Sequence, residues 1–181
     1  LNREERLNSI VIFLDISKAF NSVSHISLLK ILKSLDIPND IYQWLILFLK
    51  SMVIRIDTKE GAVTKKLHQG LLQGSTLSPI LFNLYTMGIH KLFNNKKDIK
   101  IFQYADDFAI IINNKCFNEL EFNSYNYLIT INNKLKDLNL NINAAKTKYQ
   151  IFNFNREIRE INIKLGRLEI KKKKSYTYLG I

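Results

Sequence analysis

At 181 residues, 46% of them hydrophobic, the chain has the size and apolar content of one domain with a sizeable core, which excludes a disordered polyelectrolyte. Its 27 Lys and Arg against 16 Asp and Glu give a formal charge of +11, which favours polyanionic partners, with general solubility as the plain alternative. One cysteine, Cys116, excludes an internal disulfide and a cysteine-built zinc cluster, and no run reaches the roughly 18 apolar residues of a membrane span.

Ser9-Ile10-Val11-Ile12-Phe13-Leu14-Asp15 reads as a buried strand ending on a carboxylate. Ser24 then suits a helix N-cap. A helix over residues 25–35 puts Leu28, Leu29, Leu32 and Leu35 on one face, with Lys18, Lys30 and Lys33 off that stripe. Pro38 fits the first turn of a second helix, over residues 39–49, whose Ile41, Trp44, Leu45 and Phe48 are expected in the core. Trp44 as a stacking platform for bases is the sharper reading and the less favoured one. Residues 52–57 and 62–67 flank Thr58-Lys59-Glu60-Gly61, a hairpin with a four-residue loop, made basic by Arg55, Lys59, Lys65 and Lys66. Residues 69–75 form a glycine-punctuated loop into a helix capped by Ser78, with Pro79 at its first position, running to about Phe93.

The stretch from Ile101 to Ile112 reads as a β-hairpin with Asp106 and Asp107 at its tip. Adjacent Asp side chains repel, which is costly unless a cation sits there. Asp is also common in plain turns, and from the hairpin alone both readings stay open. The spacing of Leu128, Ile131, Leu135 and Leu138 predicts a helix over residues 118–138, packed across the sheet under the hairpin. Residues 139–143 are a connection, residues 148–154 a half-buried strand, and residues 161–165 and 168–170 a hairpin around Gly166-Arg167. The basic run from Lys171 to Lys174 reads as a solvated turn between strands. His25, His68 and His90 lack ligand spacing, and no composition shift marks a domain boundary.

If the strand ending at Asp15 pairs beside the hairpin, three carboxylates converge at one end of a sheet. Such a set can hold two metal ions roughly 3.5–4 Å apart, the geometry of in-line phosphoryl or nucleotidyl transfer. Here the sequence resembles a known family. Phe13-Leu14-Asp15-Ile16-Ser17-Lys18-Ala19-Phe20, then Gln73-Gly74-Ser75-Thr76-Leu77-Ser78-Pro79, then Tyr104-Ala105-Asp106-Asp107 resemble three consecutive motifs of reverse transcriptases, in particular those of non-LTR (LINE-type) retrotransposons. Asn143-Ala144-Ala145-Lys146-Thr147 and Tyr178-Leu179-Gly180-Ile181 fit two later motifs. One such motif alone would be a weak signal. Five in order, across essentially the whole chain, are a strong one.

The resemblance implies an α+β fold: a right-hand polymerase palm, an antiparallel sheet backed by helices, with part of the fingers. Residues 1–37 and 76–165 would be palm, 38–75 a fingers-like insertion, and 166–181 the start of the primer-grip region. The implied activity is that of an RNA-directed DNA polymerase, a nucleotidyltransferase joining a dNTP to a primer 3′-hydroxyl with two Mg²⁺ ions, or Mn²⁺ in their place. Asp15 and Asp106 would be the main metal ligands, Asp107 the third carboxylate, and Ile16 a contributor through its backbone carbonyl. Phe20, core on periodicity alone, would be the aromatic gate against the 2′-hydroxyl. Gln73, Gly74 and Tyr104 would line the nucleotide, and Leu179 and Gly180 the primer grip. Lys146 would meet the departing pyrophosphate, though a plain surface lysine fits the residues equally well.

Asn21 stands where the family usually has Asp, and Leu72 and Thr76 where prolines are common; none of these removes a metal ligand. The implied partners are an RNA template, a DNA primer and dNTPs, with no membrane. Because the chain starts without Met and ends on a motif, it reads as a piece of a longer protein, weak as a polymerase without flanking fingers and thumb. The expected location is intracellular, in nucleus and cytoplasm. A decayed or domesticated relative that binds nucleic acid without chemistry is the alternative. A metal-dependent nuclease is a third, which Phe20 and the Gln73 loop argue against.

Overall fold

The computed structural model describes residues 7–153 and 161–179. In chain order the first elements are β1 (Asn8–Leu14), β2 (Ile16–Ser17), a short 3-10 turn (Phe20–Ser22), α1 (His25–Lys33) and α2 (Asn39–Lys50). The hairpin β3 (Val53–Thr58) and β4 (Gly61–Lys66) follows, then α3 (Ser78–Lys91), β5 (Ile99–Tyr104) and β6 (Asp107–Asn114). The last are α4 (Phe117–Asp137), β7 (Asn141–Ile142), β8 (Lys148–Phe152), β9 (Lys164–Leu165), β10 (Leu168–Glu169) and β11 (Lys171–Lys172). These fall into two compact units, Leu1–Ser17 with Thr86–Ile181, and Lys18–Tyr85. The fold is α+β, as expected from the sequence, and no helix among the described residues is long and apolar enough to cross a membrane.

The first unit is a five-stranded sheet in the order β11-β8-β1-β6-β5. β1 is antiparallel to β6 on one side, with Ile12 opposite Ile110, and to β8 on the other, with Ile12 opposite Tyr149. A central strand has neighbours along both edges, which suits the β-branched run of β1. Strand alternation sends Ile10, Ile12 and Leu14, with Phe108, Ile110 and Ile112 of β6, to one buried face. α4 covers that face with Leu120, Ser124, Leu128, Ile131 and Leu135, and the buried Ser124 hydroxyl is satisfied by the Leu120 carbonyl at 2.6 Å. Each fully buried aliphatic side chain contributes roughly 1.5–3 kcal/mol. Asn139, at φ 56°, ends the helix: its neighbour Leu140 donates N–H to the Leu135 carbonyl at 2.9 Å, closing a Schellman cap. The basic run from Lys171 departs from expectation. Lys171 and Lys172 are no free turn but pair parallel with Lys148 and Tyr149 as the outermost strand.

In the second unit Ser24 caps α1 through its side chain, which accepts the Ser27 N–H at 3.3 Å. α2 begins after Pro38, but its burial differs from expectation. Leu45 and Leu49 are inside, whereas Ile41 is 47% and Trp44 54% exposed, with the Trp44 and Phe48 rings stacked at 5.4 Å. The apolar arc of α2 covers more than half of its circumference, with Asn39, Asp40, Gln43 and Lys50 opposite, and is wider than the stripe that packs, so spacing alone did not say which part of it goes inward. The β3–β4 hairpin is tighter than expected: Thr58 pairs with Gly61, leaving Lys59 and Glu60 as a two-residue loop, and the Thr58 hydroxyl donates to the Gly61 carbonyl at 2.7 Å. Ser78 is a helical residue rather than a cap, its hydroxyl donating to the Leu72 carbonyl at 2.7 Å.

Candidate active site

Within the first unit, the β1–β6 ladder ends with Leu14 opposite Phe108, so Asp15 and Asp107, the next residues along, stand at the same end of the sheet. Both follow from strand alternation on the face opposite α4. The Asp15 backbone is held on two sides. Its N–H donates to the Thr147 hydroxyl at 3.1 Å, and its carbonyl accepts from the Asn143 N–H at 2.8 Å. Thr147 is fully buried, and its own N–H returns to the Asn143 carbonyl at 2.8 Å, so the 143–147 turn wraps the end of β1. Next in line, Ile16 pairs with Ile142 as β2 and β7.

β5 and β6 meet at Tyr104 and Asp107, leaving Ala105 and Asp106 as the loop. Asp107 is therefore the first residue of β6 and not, as the sequence suggested, part of the tip. Of the two loop residues only Ala105 lies at positive φ, 53°. The Asp107 carboxyl is raised above the usual carboxylate range, first by partial burial, then by the charges of Asp106 and Asp15. That upward push ties all three carboxylates electrostatically. Among the described residues, however, no group of three His, Cys, Asp or Glu side chains is close enough together to hold a metal ion. The set is all oxygen and acidic, the donor chemistry a hard divalent cation takes.

Two tyrosines flank the same end. Tyr176 stacks on Phe13 with ring centroids 4.2 Å apart, and Tyr178 lies 5.6 Å from that ring and donates its hydroxyl to the Asp107 carbonyl at 3.3 Å. Both phenols are raised, first by burial and next by the Asp107 charge. Tyr104 is exposed, as is Lys146, whose N–H donates to the Asn143 carbonyl at 3.2 Å. Leu179 lies at φ 53°, and Gly180 lies outside the described residues.

The second unit brings Phe20 and the Gln73 loop together. The Leu71 N–H donates to the Phe20 carbonyl at 2.9 Å, and the Gly70 N–H to that of Val23 at 2.7 Å. His25 Nε2 donates to the Gly70 carbonyl at 2.7 Å, which fixes its tautomer because a carbonyl only accepts. The Phe20 ring rests 5.1 Å from that of buried Phe82. Asn21, Lys65, Lys66, His68 and Gln73 line a cavity of about 580 Å³ in this unit, and Gly74 is exposed at φ 88°. Four residues around the carboxylates carried no role in the sequence reading: Thr147, Gln103, Tyr176 and Tyr178. Their partners are remote or lie across a turn, and only the motif positions of Thr147 and Tyr178 hinted at them.

The family model for reverse transcriptase (RNA-dependent DNA polymerase) matches residues 1–181. The RNA-directed DNA polymerase of the mobile element jockey, from Drosophila melanogaster, is 29% identical over 98% of this chain and 20% of its own length. The probable RNA-directed DNA polymerase of transposon BS, from the same fly, is 27% identical over 75% of this chain and 16% of its own. The chain thus spans about a fifth of the curated relatives it matches. Among solved structures, Candida tropicalis telomerase truncated from its C-terminal domain superposes over 87% of this chain and 32% of its own, with a TM-score of 0.65 at 17% identity. Candida albicans telomerase, in complex with a fragment of telomeric RNA, does so over 89% and 30%, with a TM-score of 0.61 at 17% identity. At that identity the likeness is one of fold. With acidic residues at one end of an antiparallel sheet, relatives from non-LTR mobile elements and a family match over its whole length, the chain belongs to the reverse transcriptase (RNA-dependent DNA polymerase) family.

Proposed function

We propose that this domain is the palm of an RNA-directed DNA polymerase, which adds deoxynucleotides to a DNA primer 3′-hydroxyl on an RNA template. The observation that carries the reading is the electrostatic grouping of Asp15, Asp106 and Asp107 at one end of the β1–β6–β5 sheet. Reverse transcriptases as a family use divalent metal ions. In this reading Asp15 and Asp106 are the main ligands of two Mg²⁺ ions, or Mn²⁺, with Asp107 as third carboxylate and the Ile16 carbonyl beside them. When bound, the ions lower the pKa of the primer hydroxyl and neutralise charge on the leaving pyrophosphate.

The other roles belong to side chains. The Phe20 ring excludes a 2′-hydroxyl, while Gln73, Gly74 and Tyr104 line the incoming nucleotide and its template base. Lys146 supplies a cation toward the pyrophosphate, and Leu179 with Gly180 grips the primer. Residues 1–37 and 76–165 then count as palm, 38–75 as a fingers-like insertion and 166–181 as the start of the primer-grip region. The net charge of +11 supports RNA and DNA as partners. Fingers and thumb of a longer polypeptide complete the enzyme, which works in nucleus and cytoplasm.

Primer extension on a homopolymer RNA template with Mg²⁺, using the full polypeptide that carries this domain, tests the reading. Extension with dNTPs that vanishes in Asp106→Ala, while RNA binding persists, supports it. RNA binding that falls with salt, with no extension at all, sinks it in favour of a non-catalytic nucleic-acid-binding relative.

A further inference from the structure

Ala105, the residue before Asp106, sits at φ 53°. A side chain with Cβ in that region costs about 1–2 kcal/mol, so the turn persists only where its surroundings hold it. What holds it is a side chain two residues back. Gln103 Nε2 donates to the Ala105 carbonyl at 2.8 Å and to the Thr86 hydroxyl at 2.7 Å, using both amide hydrogens. Because a carbonyl only accepts, this contact fixes which way the Gln103 amide points. Its Oε1 therefore faces His90 Nε2, 2.9 Å away, and that nitrogen must carry the hydrogen. The imidazolium form carries the same N–H, so the link does not depend on the charge of His90. The His90 ring stacks on buried Phe108 at 6.5 Å. Thr86 and His90 stand four residues apart on α3, so one helix face supplies both anchors of the amide.

We propose that Gln103, anchored by His90 and Thr86, is a positioning residue that presets the Asp106 turn for nucleotide addition. This rests on the reading of the site as a nucleotidyl transferase. The Ala105 carbonyl and the Asp106 N–H share one rigid peptide plane, so gripping the first fixes the direction in which the Asp106 backbone departs. The Asp106 carboxylate then starts from one backbone orientation rather than a set of them. Glu at position 103 could not serve, since an ionised carboxylate has no hydrogen to give the carbonyl. Met fills the same volume and makes no bond.

Two readouts test this. Amide hydrogen exchange of the metal-free protein at Tyr104 and Asp107, the pair that closes the turn, reads the turn directly. In Gln103→Met it should quicken about tenfold, while the amides of β1 and β8 keep their rates. In primer extension by the full polypeptide, Gln103→Met should lower kcat at least about tenfold and leave the dNTP KM within about twofold. His90→Gln keeps a donor for Oε1 and should stay near the parent in both assays, whereas His90→Phe should follow Gln103→Met. Turn exchange unchanged in Gln103→Met, or quickened equally throughout β1, overturns the proposal. So does a kcat loss no greater than the loss of folded protein. If the parent polypeptide extends no primer, the polymerase reading and the kinetic part of this one fail together, and exchange still decides whether Gln103 holds the turn.

Discussion

The N–H of Asp15 donates to the Thr147 hydroxyl at 3.1 Å, and 132 residues of chain separate the two. With Asn143 gripping its carbonyl, Asp15 has its peptide groups pinned on both sides just where β1 ends. Thr147→Val keeps the volume and removes the acceptor, which leaves the Asp15 N–H without its bond and should cost about 1–3 kcal/mol in urea unfolding. Thr147→Ser keeps the hydroxyl and loses one methyl, about 1 kcal/mol. Metal-dependent activity should divide the two more sharply, falling about tenfold or more in Val and little in Ser. Equal activity in both variants would contradict the positioning of Asp15 by this hydroxyl.

Asp107 gives a pH test. Burial and the charges of Asp106 and Asp15 raise its carboxyl in the folded state, so folding disfavours the ionised form. That stability is complete below the unfolded pKa and is lost as pH rises through the higher folded one. Asp107→Asn removes the charge and should therefore melt slightly higher than the parent at pH 7, by about 1 °C given the exposure of the site. Near pH 3, where Asp carboxyls protonate, the gain should disappear. A gain that persists at pH 3 would assign it to something other than charge.

Two glycines of the Gln73 loop should respond differently to alanine. At Gly70, with φ 89°, an added Cβ would come within 3.1 Å of the Asn21 carbonyl oxygen and 3.2 Å of its Cα, both backbone atoms. At Gly74, with φ 88°, it would meet nothing within 4 Å. Gly74→Ala should cost about 1 kcal/mol from backbone strain alone. Gly70→Ala adds the clash and should cost at least about twice that in thermal or chemical unfolding.

Phe20 is half-buried and packs on Phe82, so Phe20→Ala should lower stability by about 1–2 kcal/mol, less than a fully buried ring would lose. If the ring also excludes the 2′-hydroxyl, ribonucleotide incorporation by the surviving folded protein should rise relative to deoxynucleotide incorporation. Phe20→Tyr, which keeps the ring, should preserve the exclusion. Discrimination unchanged in the Ala variant would leave Phe20 as packing only.

Much of the fold was legible because periodicity reports burial. The apolar spacing of α4 shows which face it turns inward, the continuous apolar run of β1 marks a buried strand, and both packed as expected. α2 did so only in part: its apolar arc is wider than the stripe that packs, so Leu45 and Leu49 go inward while Ile41 and Trp44, on one side of that arc, stand in solvent. Pairing of Lys171 and Lys172 with β8 was hidden for another reason: a charged run on an edge strand looks like a turn. The site shows the same division. Asp15, Asp106 and Asp107 were conspicuous as carboxylates ending apolar runs. Gln103 and Thr147 act through hydrogen bonds to the backbone beside those carboxylates, and no spacing rule reveals such a partner.

β1, the central strand of its sheet, is also the first of the five to be synthesised. Ile10 lies beside Ile112 of β6 and Ile151 of β8, so its ladder partners come about 100 to 140 residues later. At about 5–20 residues per second, the strand waits roughly 5–30 seconds as an unpaired Ile-Val-Ile-Phe-Leu run. During translation β1 is therefore a sticky, chaperone-bindable segment, and the carboxylate at its tip reaches its neighbours only after most of the domain has been made.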